Sequence, residues 1–325
     1  MSLGSILSKL RHPRQKGELE LGSYVLVEKL GAGGMGEVWR AKHRSLARPA
    51  AIKLMRPGEG VLAESLATLR QRFEAEVQAT TLLTSPHTVA VYDYGQTDDG
   101  TLYYVMELLS GLDMETLVKK FGPQPAERVV YFLRQVCESL AEAHHRGFIH
   151  RDIKPANLYV CSIGMQLDYV KVLDFGLVRN IARDPHLTAD QTVSGTPAYL
   201  APESAAHHQF DARSDIYSLG CVAYWLLTGR ALFEGDTSAA VVASQIYDAP
   251  VPPSHISELL IPKDLEDVVM MCLAKDPAKR PQTAEDLSER LGALALPAWT
   301  QRRADAWWSS NMPDVLAASR ASVRP

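Results

Sequence analysis

The chain is short of several things, and each shortage closes a possibility. Its 325 residues contain no run of the roughly 18–20 apolar residues that a membrane-crossing helix needs; the nearest, Ile216 to Leu227, is too short. No secretory signal pattern is visible either, so the expected location is cytoplasmic, without an integral membrane segment. Cysteine is scarce: Cys137, Cys161, Cys221 and Cys272 stand apart without C-x-x-C spacing and read as reduced core thiols, not as a disulfide framework. The histidine pairs His144-His145 and His207-His208 have no acid or thiol cluster beside them, so no structural metal cage is expected. A formal net charge of −4 argues against general affinity for nucleic acid, while 46% hydrophobic residues suffice for a sizeable core.

What is present is concentrated in a few short stretches. Residues His150-Arg151-Asp152-Ile153-Lys154-Pro155-Ala156-Asn157 are followed further on by Asp174-Phe175-Gly176. Either stretch alone is an ordinary loop; in this order they suit phosphoryl transfer from ATP. A triphosphate must be neutralised by magnesium, which prefers hard oxygen ligands and keeps several waters, so one or two protein oxygens suffice. Asn157 and Asp174 are the candidates for Mg2+. The accepting hydroxyl must lose its proton during transfer, which calls for a carboxylate within hydrogen-bond reach, and Asp152 is placed for that task. Lys154, on the same side of an extended loop, is suited to meet the γ-phosphate as charge shifts.

Upstream, Leu30-Gly31-Ala32-Gly33-Gly34-Met35-Gly36-Glu37-Val38 carries the G-x-G-x-x-G pattern, which lets backbone amides approach phosphate oxygens. The same pattern opens dinucleotide-binding folds, but there the third glycine starts a helix and an acid follows about 20 residues later. Here the flanks, Tyr24 to Leu30 and Glu37 to Ala41, are both strand-like, so the glycines are expected to cap a hairpin. Ala50-Ala51-Ile52-Lys53 then puts a lysine on a third strand, suited to the α- and β-phosphates. A lysine away from water needs an anionic partner. A helix over residues 62–83, with Leu66, Leu69, Phe73, Val77 and Thr80 at helical spacing, offers Glu76 as the preferred partner and Glu74 as the alternative. A second amphipathic helix is predicted over residues 126–146, with Gly147 as its stop.

With these motifs in order, the chain resembles the protein kinases, and more narrowly the eukaryotic-like Ser/Thr kinases of bacteria. Gly195-Thr196-Pro197-Ala198-Tyr199-Leu200-Ala201-Pro202-Glu203 is similar to the end of that family's activation segment, and Ser214-Asp215-Ile216-Tyr217-Ser218-Leu219-Gly220 to its central helix. Arg280 matches the arginine that pairs with the glutamate of Ala-Pro-Glu, here Glu203. The resemblance implies an α+β fold of two lobes, a small antiparallel sheet plus one helix and a larger helical lobe, with ATP between them. It implies a kinase domain over 24–292, divided near 108/109, an N-terminal arm over 1–23 and a Trp-rich extension over 293–325 with a disordered end. The nucleotide would be lined by Gly31, Ala32, Gly33, Gly34, Met35, Gly36, Val38, Ala51 and Lys53. Met106 would be the gatekeeper, with the backbones of Glu107 and Leu109 bonding the adenine.

Lys154 and Thr196 are similar to the Ser/Thr class, and in that class the threonine bonds the catalytic Asp and Lys. Arg151, beside the catalytic Asp, is a natural receiver for a phosphate on the activation segment. Thr188, Thr192 and Ser194 are the candidate acceptors, with autophosphorylation expected at Thr188 or Thr192. Expected partners are protein substrates with Ser or Thr acceptors and a second copy, since a homodimer would permit phosphorylation in trans. Two other readings stand beside this one: a catalytically silent kinase-fold scaffold and a small-molecule kinase. The first is disfavoured by the complete set Lys53, Asp152, Asn157 and Asp174, the second by the full activation segment. In the extension, residues 296–308 hold three of the chain's five tryptophans. Trp299, Arg303 and Trp307 are predicted on one helical face, docking on the domain itself or on another protein.

Overall fold

The computed structural model describes residues 19–33, 36–55, 70–71, 73–74, 77–78, 80–97, 100–175 and 197–322. The chain divides into two compact units, one drawn from residues up to Leu82 together with Val89–Leu109, the other from Leu83–Thr88 and Ser110 onward.

The first unit is built on β1 (Leu19–Leu21), β2 (Tyr24–Gly33), β3 (Gly36–His43), β4 (Pro49–Met55), β5 (Val91–Gln96) and β6 (Leu102–Glu107), in sheet order β1-β2-β3-β4-β6-β5. Every pairing is antiparallel. Alternation along the strands sends Leu26, Trp39, Ala41, Ile52, Leu54 and Val105 into one apolar cluster, leaving the neighbours of each on the opposite face. The residues described between 70 and 81 are helical, and Phe73 and Val77 are fully buried, as the predicted helical spacing requires.

In the second unit β7 (Gly111–Asp113), β8 (Leu158–Ile163) and β9 (Gln166–Val172) form a small sheet in that order. Around it run α1 (Met114–Phe121), α2 (Ala126–His145), α3 (Pro202–His207), α4 (Ala212–Thr228), α5 (Ser238–Tyr247), α6 (Lys263–Cys272), α7 (Ala284–Gly292), α8 (Gln301–Asn311) and α9 (Pro313–Ser322). Helix α4 is almost wholly buried, so its ends need closing from within: Asp211 and Ser214 form a reciprocal capping box, and Gly229 ends the helix at φ 70. Helix α2 stops ahead of Gly147, whose φ of 78 favours glycine. Among the described residues no helix is long and apolar enough to cross a membrane.

The tryptophan-rich segment differs in detail from its sequence reading. Thr300, not Trp299, sets the helix start: its side chain accepts the Arg303 N–H as the N-cap of α8, so Trp299 lies ahead of the helix. The most deeply buried of the three rings is Trp308, with no exposed surface, not Trp307. The segment docks on its own chain. Helical structure also continues through α9 to Ser322, where Leu316 is buried against the core.

Candidate active site

The catalytic loop lies in the second unit, and its geometry starts from α4. Asp215, buried in that helix, accepts the backbone N–H of His150 at 2.8 Å and that of Arg151 at 2.9 Å, while His144 Nε2 bonds the same carboxylate at 2.8 Å. These bonds hold Arg151 at φ 65, a left-handed conformation that costs a non-glycine residue of order 1 kcal/mol and persists only under such constraint. The ring of His150 then bridges to the other stretch: its Nε2 bonds Leu173 O at 2.8 Å, and its ring stands 4.6 Å from Phe175.

On this frame two of the predicted catalytic residues, Asp152 and Lys154, meet Asn157. Asp152 Oδ2 accepts Lys154 Nζ at 2.7 Å and Asn157 Nδ2 at 2.9 Å, and the same Asn157 nitrogen also donates to Asp152 O at 2.8 Å. Lys154 and Asp152 keep 14% and 15% of their side chains exposed, enough for a substrate to reach the carboxylate. The Leu173 N–H donates to Asn157 O at 2.9 Å, so Asn157 and Asp174 stand at the two ends of the β8–β9 hairpin and are tied together at its base. Asp174 itself sits at φ 57, a second strained position in the loop pair. Asn157 spends its amide nitrogen on Asp152, and its Oδ1 accepts no hydrogen bond among the described residues. With the Asp174 carboxylate it makes a hard-oxygen donor pair that fits magnesium.

In the first unit, β2 and β3 form the expected hairpin, paired up to Gly33 opposite Gly36. Its glycines have different reasons. At Gly36, φ is +136 and a Cβ would lie 1.8 Å from Leu54 O, so the chain's own packing demands glycine there. At Gly31 a Cβ would meet nothing within 4 Å among the described residues, so none of them requires its bareness, which suits close approach by a ligand. Lys53 lies in β4 opposite Val38 and Tyr104, on the face away from the apolar cluster, and is 8% exposed. Ala51, in the same strand, is paired with Met106, and both are buried. Ala32 continues β2 opposite Glu37. The Glu107 N–H is committed to Ala90 O at 3.0 Å, and Leu109 ends the unit.

Gly34, Met35, Glu76, Gly176, Thr188, Thr192, Ser194 and Thr196 lie outside the described residues. Glu74, the alternative partner for Lys53, bonds Arg70 Nε at 2.7 Å on the helix surface.

The anchor for the activation segment is present as expected. Arg280, with no exposed side-chain surface, grips Glu203 through Nη1 at 2.9 Å and Nη2 at 2.8 Å. Burial raises the Glu203 pKa, but the Arg280 hydrogen bonds and charge, with Ser214, outweigh it and hold the carboxyl below its ordinary value. Sequence reasoning assigned no role to Asp215, although Asp at the first turn of a capped helix was a readable signal. It also passed over Glu37, a carboxylate only 2% exposed in β3 that accepts Lys29 Nζ at 2.9 Å and Trp39 Nε1 at 3.2 Å.

A sheet unit bearing a glycine hairpin and its lysine, followed by a helical unit bearing an acid–lysine–amide loop, is the architecture of a protein kinase. The chain belongs to the protein kinase family: the protein kinase domain matches it over residues 24–291. Among similar proteins, the serine/threonine-protein kinase PknB of Mycobacterium leprae is 40% identical over 267 residues, which cover 81% of this chain and 42% of that one. The serine/threonine-protein kinase pkn3 of Myxococcus xanthus is 36% identical over 269 residues, 82% of this chain and 48% of the other. The chain thus spans less than half the length of these curated relatives. Among solved structures, the kinase domain of PknI from Mycobacterium tuberculosis, in a cysteine-to-alanine form, superposes with a TM-score of 0.65 at 26% identity, covering 85% of this chain and 96% of that one.

Proposed function

We propose that the chain is an ATP-dependent Ser/Thr protein kinase that transfers the γ-phosphate to hydroxyls of protein substrates in a bacterial cytoplasm. One observation carries this reading: Asp152 is clasped by Lys154 and Asn157 on a loop pinned to Asp215, with Asp174 tied to the same loop. A carboxylate so held is fixed in orientation, and it can orient a substrate hydroxyl and take up its proton. Lys154 then offers positive charge beside the transferred group. Asn157 and Asp174 would hold magnesium, which when bound neutralises phosphate charge and orients the nucleotide. Gly31 to Gly36, with Val38, Ala51 and Lys53, would line the nucleotide, and Glu76 would keep Lys53 charged. Since the Glu107 N–H is already taken, that residue would meet adenine through its carbonyl, with Met106 and Leu109 beside it.

Arg151 would receive a phosphate placed on Thr188, Thr192 or Ser194, with Thr196 bonded to Asp152 and Lys154, and a homodimer would allow that phosphorylation in trans. The near-balanced net charge of −4 supports proteins over nucleic acid as partners. Incubation with radiolabelled ATP, magnesium and a generic basic protein, followed by acid hydrolysis and phosphoamino-acid separation, tests the proposal. Label on serine and threonine is expected; label on tyrosine alone, or nucleotide hydrolysis with no labelled protein, would overturn it.

A further inference from the structure

Strand β9 is the outer edge of the small sheet and leads directly into Leu173 and Asp174. An open edge leaves backbone groups without partners, so each must be closed by something else. Along most of β9 the closing groups belong to the helical unit itself. Val172 N donates to His87 O at 2.8 Å, Val170 O bonds the His87 ring at 2.9 Å, and Gln135 takes Val170 N at 2.9 Å and gives to Asp168 O at 3.0 Å. The remaining position, Leu167, is closed from the C-terminal extension: Gln301 accepts its N–H at 2.8 Å and donates to its carbonyl at 3.1 Å.

The next residue is held more firmly still. Asp168 has no exposed surface and sits at φ 56, beside the point where the β8–β9 register shifts between Cys161 and Ile163. Its carboxylate receives four N–H donors, Arg128 Nε at 2.9 Å and Nη2 at 2.6 Å from α2, and the indoles of Trp299 at 2.8 Å and Trp308 at 2.7 Å from the extension. Trp307 covers the Arg128 guanidinium at 3.8 Å, so the ion pair is sealed under aromatic rings. Burial lowers the Arg128 pKa, and Asp168 opposes that fall, as expected of a charge taken out of water with its counter-ion.

We propose that the extension is a positioning element for the metal-binding pair, acting through the β8–β9 hairpin; this rests on the kinase reading above. The hairpin begins after Asn157 and ends before Asp174, and its register fixes how those two oxygen donors face each other. A strand register is all-or-none: a slip of one residue moves every side chain to the opposite face. The irregularity at Asp168 is where a slip would start, and the extension supplies two of the four donors that hold it and both bonds on Leu167. Its role is thus to lock the spacing between Asn157 and Asp174 from the far end of the hairpin.

Two substitutions in the full chain test this. Gln301 is exposed, so Gln301→Ala removes the Leu167 bonds without opening the core, and Trp308→Phe deletes one indole donor while keeping an aromatic ring. Both should raise the magnesium concentration needed for half-maximal nucleotide binding by about three- to tenfold, the range that a net loss of about 0.6–1.4 kcal/mol of hydrogen bonding gives. Nucleotide binding measured by calorimetry without metal should stay within twofold of wild type. Hydrogen exchange at Leu167 to Val172 should speed up in the same two variants. Unchanged exchange and unchanged magnesium dependence in both variants would overturn the positioning role and leave the kinase reading intact. A wild type without magnesium-dependent nucleotide binding would take down both.

Discussion

Replacing Glu203 by alanine removes the carboxylate from an arginine that has no exposed side-chain surface. Taking one partner from a buried ion pair typically costs about 3–5 kcal/mol, because the other charge is left without compensation. Arg280 is not stripped bare, however. It keeps Ala274 O at 2.8 Å, Arg213 O at 3.0 Å and Lys275 O at 3.1 Å, so three of its five hydrogen bonds survive. The variant should therefore lose about 3–4 kcal/mol, the lower part of that range. For a unit of this size that corresponds to a melting temperature lower by roughly 5–15 °C, read by calorimetry at neutral pH. A double variant, Glu203→Ala with Arg280→Met, should recover part of the loss, because no orphaned charge remains. A shift under about 2 °C in the single variant, or strict additivity in the double one, would refute this account of the anchor. The pH dependence has a definite sign. The folded carboxyl titrates below its ordinary value, so its contribution is complete at neutral pH, begins to fade near pH ~4.3 and is lost as pH falls through the depressed value.

Two further outcomes follow from buried groups. Burial pulls the Lys275 pKa down to about 8 from 10.5, although its ammonium donates to Gln245 O at 2.6 Å. The unfolded chain then binds the extra proton between those two values, so wild type should gain stability relative to Lys275→Met as pH rises from 8 to 10.5; parallel denaturation midpoints for the two proteins across that interval would contradict it. The four cysteines are buried and burial raises the thiols of Cys137, Cys221 and Cys272, the last to about 12. Since the thiolate is the nucleophile, iodoacetamide should leave the native chain unlabelled and reach all four in denaturant, and rapid native labelling would show the packing is looser than described.

What could be read from the sequence was what lies close together in it, or what falls into a recurring order. Asp152, Lys154 and Asn157 meet within one short loop, and the Gly33–Gly36 hairpin follows from strand-like flanks on both sides. Glu203 and Arg280, far apart in the chain, were paired only through resemblance. Asp168 was invisible for the opposite reason. A single acid in a strand reads as solvent-facing, yet its partners Arg128, Trp299 and Trp308 lie 40, 131 and 140 residues away. Trp299 was misplaced because helical spacing was followed without its cap, although Thr300 after Pro297 marks the start. Asp215 was recognised as part of a helix, but its hold on the His150 and Arg151 backbone exists only once the loop has folded over it.

The central claim is that Asp152 serves the transfer of phosphate to a protein hydroxyl. Its most direct test is the rate of label transfer from radiolabelled ATP with magnesium, compared between wild type and Asp152→Asn at equal folded concentration. The substitution keeps the side chain's shape and an acceptor for Lys154, so loss of the base alone should slow transfer by about 10²–10⁴ while nucleotide affinity stays near wild type. A variant that transfers within threefold of wild type would contradict the account.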